Sequence, residues 1–296
     1  MKFTGERMIP EFNKEDLIYA EHMARYFFAG QFVAAKDVLD VASGSGYGTR
    51  YLLNKGAAKV VGIDNSREAI KYSQEKYQTS GIEFILADAA KLPFENDIFD
   101  IVVSFETIEH LDDQEKFLQE IKRVLRKDGL LIISTPNVLV FPKGNTFHKK
   151  ELTPFEFISL LSKNFRHHSI NYQHSILSSY VFGEKNLACD HIPARFENVK
   201  LSPIPPDKNM YLVAIASDGC LPEPISDLVV LHNDSELIKI KKDCQLELKN
   251  DEIASLNRQI EYFRNTGFGK IAGFIHRFRK RMPIIKNLPG YFSKHK

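Results

Sequence analysis

The chain has 296 residues, 43% of them hydrophobic, which supplies one sizeable α/β core with material left over. Three scattered cysteines (Cys189, Cys220 and Cys244) exclude a disulfide framework and point to a reducing compartment. No early apolar run has the form of a signal peptide, and no stretch approaches the ~20 apolar residues of a membrane span, so the expected location is the cytoplasm. The net charge of +2 hides an asymmetry. Residues 262–296 hold nine Lys/Arg and no Asp/Glu, so the other 31 bases stand against all 38 acids and residues 1–261 carry a net −7. A mildly acidic body with a basic tail suggests an anionic partner for the tail.

Thr4-Gly5-Glu6-Arg7-Met8-Ile9-Pro10 reads as an extended lead-in. Asp16 to Phe28 reads as a helix, and its His22, Arg25 and Tyr26 form either a solvated polar face or a flap over a ligand. Val38–Ala42 is a buried strand, followed by the turn Ser43-Gly44-Ser45-Gly46 and a helix from Tyr47 to about Asn54. Lys59–Asp64 is a strand, Arg67–Tyr77 a helix, Ile82–Leu86 a strand and Asp100–Phe105 another. Asp113–Leu125 is an amphipathic helix with Phe117, Leu118, Ile121, Val124 and Leu125 inward. Lys127-Asp128-Gly129 reads as a turn before a strand at Leu130–Ser134. Thr153-Pro154-Phe155-Glu156 is a capping box that opens a helix to about Leu161. Phe165–His174 and Met210–Ala216 read as late strands. The alternation predicts an α/β, doubly wound sheet with a mostly parallel core.

The expected domain spans 1–217, with a linker at 218–226. Residues 227–265 read as helical, and Leu246, Ile253, Leu256, Ile260 and Phe263 outline a short coiled-coil seam that would pair copies of the chain or pack back on the domain. The 266–296 segment is a basic amphipathic tail. Ile271, Ile275, Phe278 and Met282 recur at helical spacing beside Phe274, with Arg277, Arg279, Lys280 and Arg281 supplying charge, a composition that suits an anionic membrane surface. A solvated surface helix is the alternative, and nucleic acid ranks below both.

A short apolar strand that feeds a Gly-x-Gly turn and a helix is a nucleotide-binding device. Asp40, two residues into that motif, would receive a cationic group. Asp64 ends the second strand, where a carboxylate suits a ribose diol. Asp88, with Ala89 beside it, follows the third strand and could accept from an adenine amino group. Glu106 and Glu109-His110 follow the fourth. Each acid taken singly is an ordinary cap or turn residue; in order at successive strand ends they outline one ligand. Dehydrogenases explain the glycines and Asp64 but not Asp40 or Asp88, and position 49 is Thr49 rather than glycine.

Asp40-x-Ala-Ser-Gly44-Ser-Gly46 resembles the first motif of class I S-adenosylmethionine (SAM)-dependent methyltransferases, with Ala42 where the family has its first glycine. Ser104–Leu111 resembles the post-strand motif of the small-molecule and glycan branch. Thr4-Gly5-Glu6-Arg7 with Glu21-His22-x-x-Arg25-Tyr26 resembles a subgroup associated with bacterial surface polysaccharides. The resemblance implies a Rossmann-like seven-stranded sheet ending in an antiparallel hairpin. It also implies a SAM site built from Arg7, Tyr26, Asp40, Ala42, Ser43, Gly44, Gly46, Asp64, Asn65, Asp88, Ala89, Phe105 and Glu106.

Methyl transfer to an alcohol asks for positioning and a base within hydrogen-bond reach. The candidate bases are His148, in Asn145-Thr146-Phe147-His148, then His110 and Glu109. No metal is assigned, because Cys189-Asp190-His191 would need donors from elsewhere. The expected acceptor is a hydroxyl of a sugar or glycan intermediate, with the tail holding the enzyme at the inner membrane face. Small-molecule methylation in quinone or secondary metabolism is the first alternative, and a non-catalytic scaffold the second. Amino-nitrogen methylation of bases is disfavoured by Phe105-Glu106-Thr107 at the end of the fourth strand.

Overall fold

The computed structural model describes residues 8–9, 17–141, 144–175 and 208–224. Arg7, Cys189-Asp190-His191, the expected coiled-coil segment 227–265 and the basic tail 266–296 lie outside the described residues.

Seven strands form one sheet: β1 (Asp37–Val41), β2 (Lys59–Asp64), β3 (Ile82–Leu86), β4 (Phe99–Ser104), β5 (Leu125–Pro136), β6 (His167–Gln173) and β7 (Tyr211–Ser217). Their order is β3-β2-β1-β4-β5-β7-β6. β1 to β5 pair in parallel, and β7 is antiparallel to both β5 and β6. The chain winds outward from β1 to β3, then crosses back to lay β4 on the other side of β1. That reversal opens a crevice beyond the carboxyl ends of β1 and β4.

The helices are α1 (Leu17–Ala29), α2 (Tyr47–Asn54), α3 (Arg67–Tyr77), α4 (Gln114–Val124) and α5 (Pro154–Asn164). Strand parity distributes them. Leu39, Val41, Val61 and Ile63 share one face with Phe117, Leu118 and Ile121 of α4 and Phe157 and Leu161 of α5. Val38, Val60, Ile101 and Val103 face the other way, onto Tyr26 and Phe28 of α1 and Leu52 of α2. Asp40 has the parity of Val38, so its side chain emerges under α1 and α2.

Local chemistry sets the helix starts. The Ser66 hydroxyl accepts the Ala69 amide ahead of α3, and Asp113 accepts the Lys116 amide ahead of α4. Thr153 and Glu156 form the reciprocal capping box of α5, which runs to Asn164 rather than stopping near Leu161. The expected turn at Lys127-Asp128-Gly129 is instead part of β5. Leu125 pairs with Phe99 and Leu130 with Ile101, so the three residues are absorbed in a bulge. Arg126 reaches from that bulge to Asp37 (3.0 Å) and Asp100 (2.6 Å), tying the starts of β1 and β4 together.

The polar face of α1 is not solvated. Arg25 is 2% exposed and Tyr26 5%. The Glu21 carboxylate accepts from the Tyr211 hydroxyl (2.8 Å) and the Ser175 hydroxyl (2.7 Å), and Arg25 Nη1 donates to Gln173 Oε1 (2.8 Å). These bonds dock α1 on the β6–β7 hairpin. The docking lays the Tyr26 ring against Gly48, where an added Cβ would fall 1.9 Å from the ring. Gly48→Ala, which in an exposed helix gains about 1 kcal/mol, is therefore expected to lose about 1–3 kcal/mol in urea unfolding. A gain in stability would contradict the close seat of α1.

Candidate functional site

The glycine turn joins β1 to α2. Ala42 (φ 59°), Gly44 (φ 55°) and Gly46 (φ 84°) all take left-handed backbone. Gly46 also has no room for a side chain, since a Cβ would lie 2.5 Å from Ser73 Cβ. Around Gly44, by contrast, an added Cβ would meet nothing within 4 Å, so its backbone faces open space. Its amide donates to Asp64 Oδ2 (3.0 Å), and the Ser66 amide to Asp64 Oδ1 (2.9 Å). Asp64 thus ties the turn to the loop after β2. Ser43 is buried and its hydroxyl has no hydrogen-bond partner. Ser45 donates to the Met8 carbonyl (2.9 Å), which brings the lead-in against the same turn.

Asp40 is 1% exposed and is the chemical centre of this half of the site. Thr49 Oγ1 donates to Oδ2 at 2.7 Å, and the Tyr26 hydroxyl lies 3.2 and 3.3 Å from the two oxygens. Burial pushes the carboxyl up to about 7, against the opposing effect of the two hydroxyl donors; the Asp64 charge adds to the rise. Thr49, in the sequence only a break in a glycine pattern, is thereby a partner of Asp40. Tyr26 packs edge-on against Tyr47 (5.5 Å) and Phe105 (5.1 Å). His22 Nδ1 lies 2.9 Å from the Tyr47 hydroxyl, and burial and Arg25 hold its imidazole well below the ordinary histidine range.

The other expected donor residues lie along the same edge. Asn65 is exposed after β2, Asp88 is exposed after β3 and accepts the Ala90 amide (2.8 Å), and Ala89 is half-buried against the core. Beyond β4, Phe105 is buried, and Glu106 (φ 50°) accepts the Ser134 hydroxyl at 2.6 Å.

Ile108–His110 then form a 3₁₀ turn. The Glu109 carbonyl accepts the amides of Lys149 (2.8 Å) and Lys150 (3.1 Å), and Gln114 Nε2 donates to the carbonyls of Ile108 and Lys150. These bonds carry the loop after β5 over the turn and bring Glu109, His110 and His148 together, each with a ligand atom within 4.8 Å of the others. Glu109 is fully buried; burial and the Glu106 charge push its carboxyl well above the usual range. Both nitrogens of His148 are engaged, Nδ1 with Glu151 Oε1 (2.7 Å) and Nε2 with Asn145 Nδ2 (2.9 Å). The sequence points to the three residues but not to their convergence, nor to Glu151, Asn145 and Thr135 behind them. Arg25 is visible there only as part of the α1 face; its guanidinium lies 4.7 Å over the Tyr211 ring, with Nε and Nη2 unpartnered.

A seven-stranded sheet in this order, with an antiparallel β7 beside β5 and a glycine turn after β1, is the Rossmann-like fold of class I methyltransferases. Residues 39–133 match the family model described as a methyltransferase domain. A protein of Mycobacterium tuberculosis named "Probable S-adenosylmethionine-dependent methyltransferase" is 37% identical over 166 residues, covering 54% of this chain and 60% of that protein. The chain thus spans less than two thirds of that relative. A "Phthiotriol/phenolphthiotriol dimycocerosates methyltransferase" of Mycobacterium leprae is 37% identical over 100 residues, 33% of this chain and 37% of the relative. A solved SAM-dependent methyltransferase from Thermotoga maritima shares the fold at a TM-score of 0.50 and 17% identity, over 70% of this chain and 94% of that one. Residues 39–133 thus match a methyltransferase domain, and relatives that align with this chain over 166 residues are named for S-adenosylmethionine dependence. Among the described residues no helix is long and apolar enough to cross a membrane.

The buried Asp40 carboxyl makes a pH-dependent contribution of known sign. Its folded-state value lies above the unfolded one, so its stabilisation is complete below about pH 4 and is lost as pH rises towards 7. Asp40→Asn is expected to gain about 1–4 kcal/mol on the wild type between pH 4 and pH 8, read by urea unfolding at each pH. A difference that stays constant over that range would contradict the buried carboxyl.

Proposed function

We propose that the chain transfers the methyl group of SAM to a hydroxyl of a sugar or glycan intermediate. On the donor side, Asp40 receives the ammonium group, Asp64 the ribose hydroxyls, and Asp88 with Ala89 the adenine. Ser43, Gly44 and Gly46 supply backbone that a ligand can approach closely, and Tyr26 roofs the turn. An ammonium group beside Asp40 compensates a carboxylate that burial otherwise penalises.

The observation that carries the acceptor chemistry is the convergence of Glu109, His110 and His148 next to Glu106, across the switch point from the glycine turn. An alcohol is a weak nucleophile and needs a group that takes or withdraws its proton, whereas an amine at neutral pH needs less help. The sulfonium methyl then moves in line, and positioning and water exclusion supply most of the acceleration. The glycan assignment rests on the lead-in and α1 motifs. A small-molecule hydroxyl in quinone or secondary metabolism is the second reading, favoured by the relative named for phthiotriol and phenolphthiotriol dimycocerosates.

Calorimetric titration with SAM separates an enzyme from a scaffold. The wild type is expected to bind one equivalent, with affinity rising as pH rises through about 7. Asp40→Ala is expected to weaken binding at least about tenfold, or ~1.4 kcal/mol. Absence of binding by the wild type would remove the enzyme reading.

A further inference from the structure

We propose that Glu109, His110 and His148 form a binding site for a divalent transition-metal ion beside the methyl donor. The site goes beyond methyl transfer itself; only the role given to the ion rests on the hydroxyl-acceptor reading above.

The orientation of the imidazoles is the first observation. His110 Nδ1 lies 3.0 Å from the Phe147 carbonyl, which can only accept, so that nitrogen carries the proton and Nε2 the lone pair. His148 Nδ1 lies 2.7 Å from Glu151 Oε1, and the Asn145 amide nitrogen donates to Nε2 at 2.9 Å, which places the second lone pair on Nε2 in the same way. A carbonyl or carboxylate behind each ring, fixing Nε2 as the ligating atom, is the outer-shell arrangement of metal-binding histidines.

Glu109 provides the second. Its Oε2 accepts the Thr135 hydroxyl at 3.4 Å, while Oε1 is buried with no hydrogen-bond partner and lies 3.8 Å from His110 Nε2. An orphaned buried carboxylate oxygen costs free energy. Here it lies opposite His110 Nε2 at a distance too long for a hydrogen bond, and a cation between the two gives the Glu109 oxygen a partner. Metal bonds of about 2.0–2.2 Å put neighbouring ligands about 3 Å apart, so Glu109 Oε1 and His110 Nε2 need approach by only about 1 Å. His148 joins by exchanging the Asn145 amide for the ion. The backbone holding this geometry is fixed, since the amides of Lys149 and Lys150 both bond the Glu109 carbonyl.

Two imidazoles and one carboxylate suit manganese, cobalt or zinc better than calcium or magnesium. An ion here would polarise the acceptor hydroxyl and lower its pKa. The hydroxyl proton passes to water, the oxygen bonds the methyl carbon, and the pair from the broken carbon–sulfur bond stays on sulfur as the neutral thioether.

The test is a Co²⁺ titration of the tag-free full chain after chelator dialysis, followed by visible absorption. The expected result is saturation at one equivalent with ligand-field bands that Zn²⁺ displaces. Glu109→Gln and His110→Asn should each lose the bands or bind at least about tenfold more weakly while keeping a cooperative unfolding transition. Glu151→Gln should weaken binding about 10–100-fold. No spectral change at millimolar Co²⁺ would overturn the proposal, as a proton and not a metal would then link the three groups. Bands that survive in both Glu109→Gln and His110→Asn would overturn it equally. Neither donor nor acceptor enters the titration, so its outcome is independent of whether methyl transfer is found.

Discussion

A single buried carboxylate organises the domain. Asp40 emerges from the middle of β1 on the face that α1 and α2 cover, and its charge has to be met there. Thr49 meets it from α2 and Tyr26 from α1. Tyr26 can lie that close only because residue 48 is glycine. α1 can hold Tyr26 only because Glu21 and Arg25 dock it on Tyr211, Ser175 and Gln173 of the distant hairpin region. The glycine turn and strands β6 and β7 are thus linked through one helix, although more than a hundred residues separate them. An unsatisfied buried charge would cost several kcal/mol, a penalty that the ammonium group of the proposed methyl donor would offset.

The reversal of strand order divides the carboxyl edge of the sheet into two halves. Strands β1 to β3 present the glycine turn, Asp64 and Asp88; β4 and β5 present Glu106, the 3₁₀ turn and the loop with His148. Each half has one non-glycine residue in left-handed backbone beside the switch point, Ala42 at φ 59° and Glu106 at φ 50°. Such backbone costs of order 1–3 kcal/mol per residue and persists where surrounding bonds hold it. The Ser134 hydroxyl, bonded to both the amide and the carboxylate of Glu106, holds the second of them.

The architecture was legible because its signals are local. Alternating apolar runs and helical periods set most element limits within one or two residues, and Asp40, Asp64 and Asp88 were placed at or near the carboxyl ends of successive strands. What was not legible depends on residues far apart in sequence. The polar side of α1 has the look of a solvated face until β6 and β7 supply partners for Glu21 and Arg25. Lys127-Asp128-Gly129 has turn composition, yet Phe99 and Ile101 pair on either side of it and make it a bulge. Glu109 and His148 come together only through backbone bonds that no side-chain pattern announces. Thr49 looks like a departure from a motif and is a partner of the central acid.

Under the proposed function, donor and acceptor sit on opposite sides of the switch point. A crystal structure with S-adenosylhomocysteine tests it most directly. The expected complex has the amino group beside Asp40, the ribose at Asp64, and the sulfur facing the cluster of Glu109, His110 and His148. A homocysteine moiety that leaves Asp40 uncontacted, or a sulfur that faces away from that cluster, would contradict it.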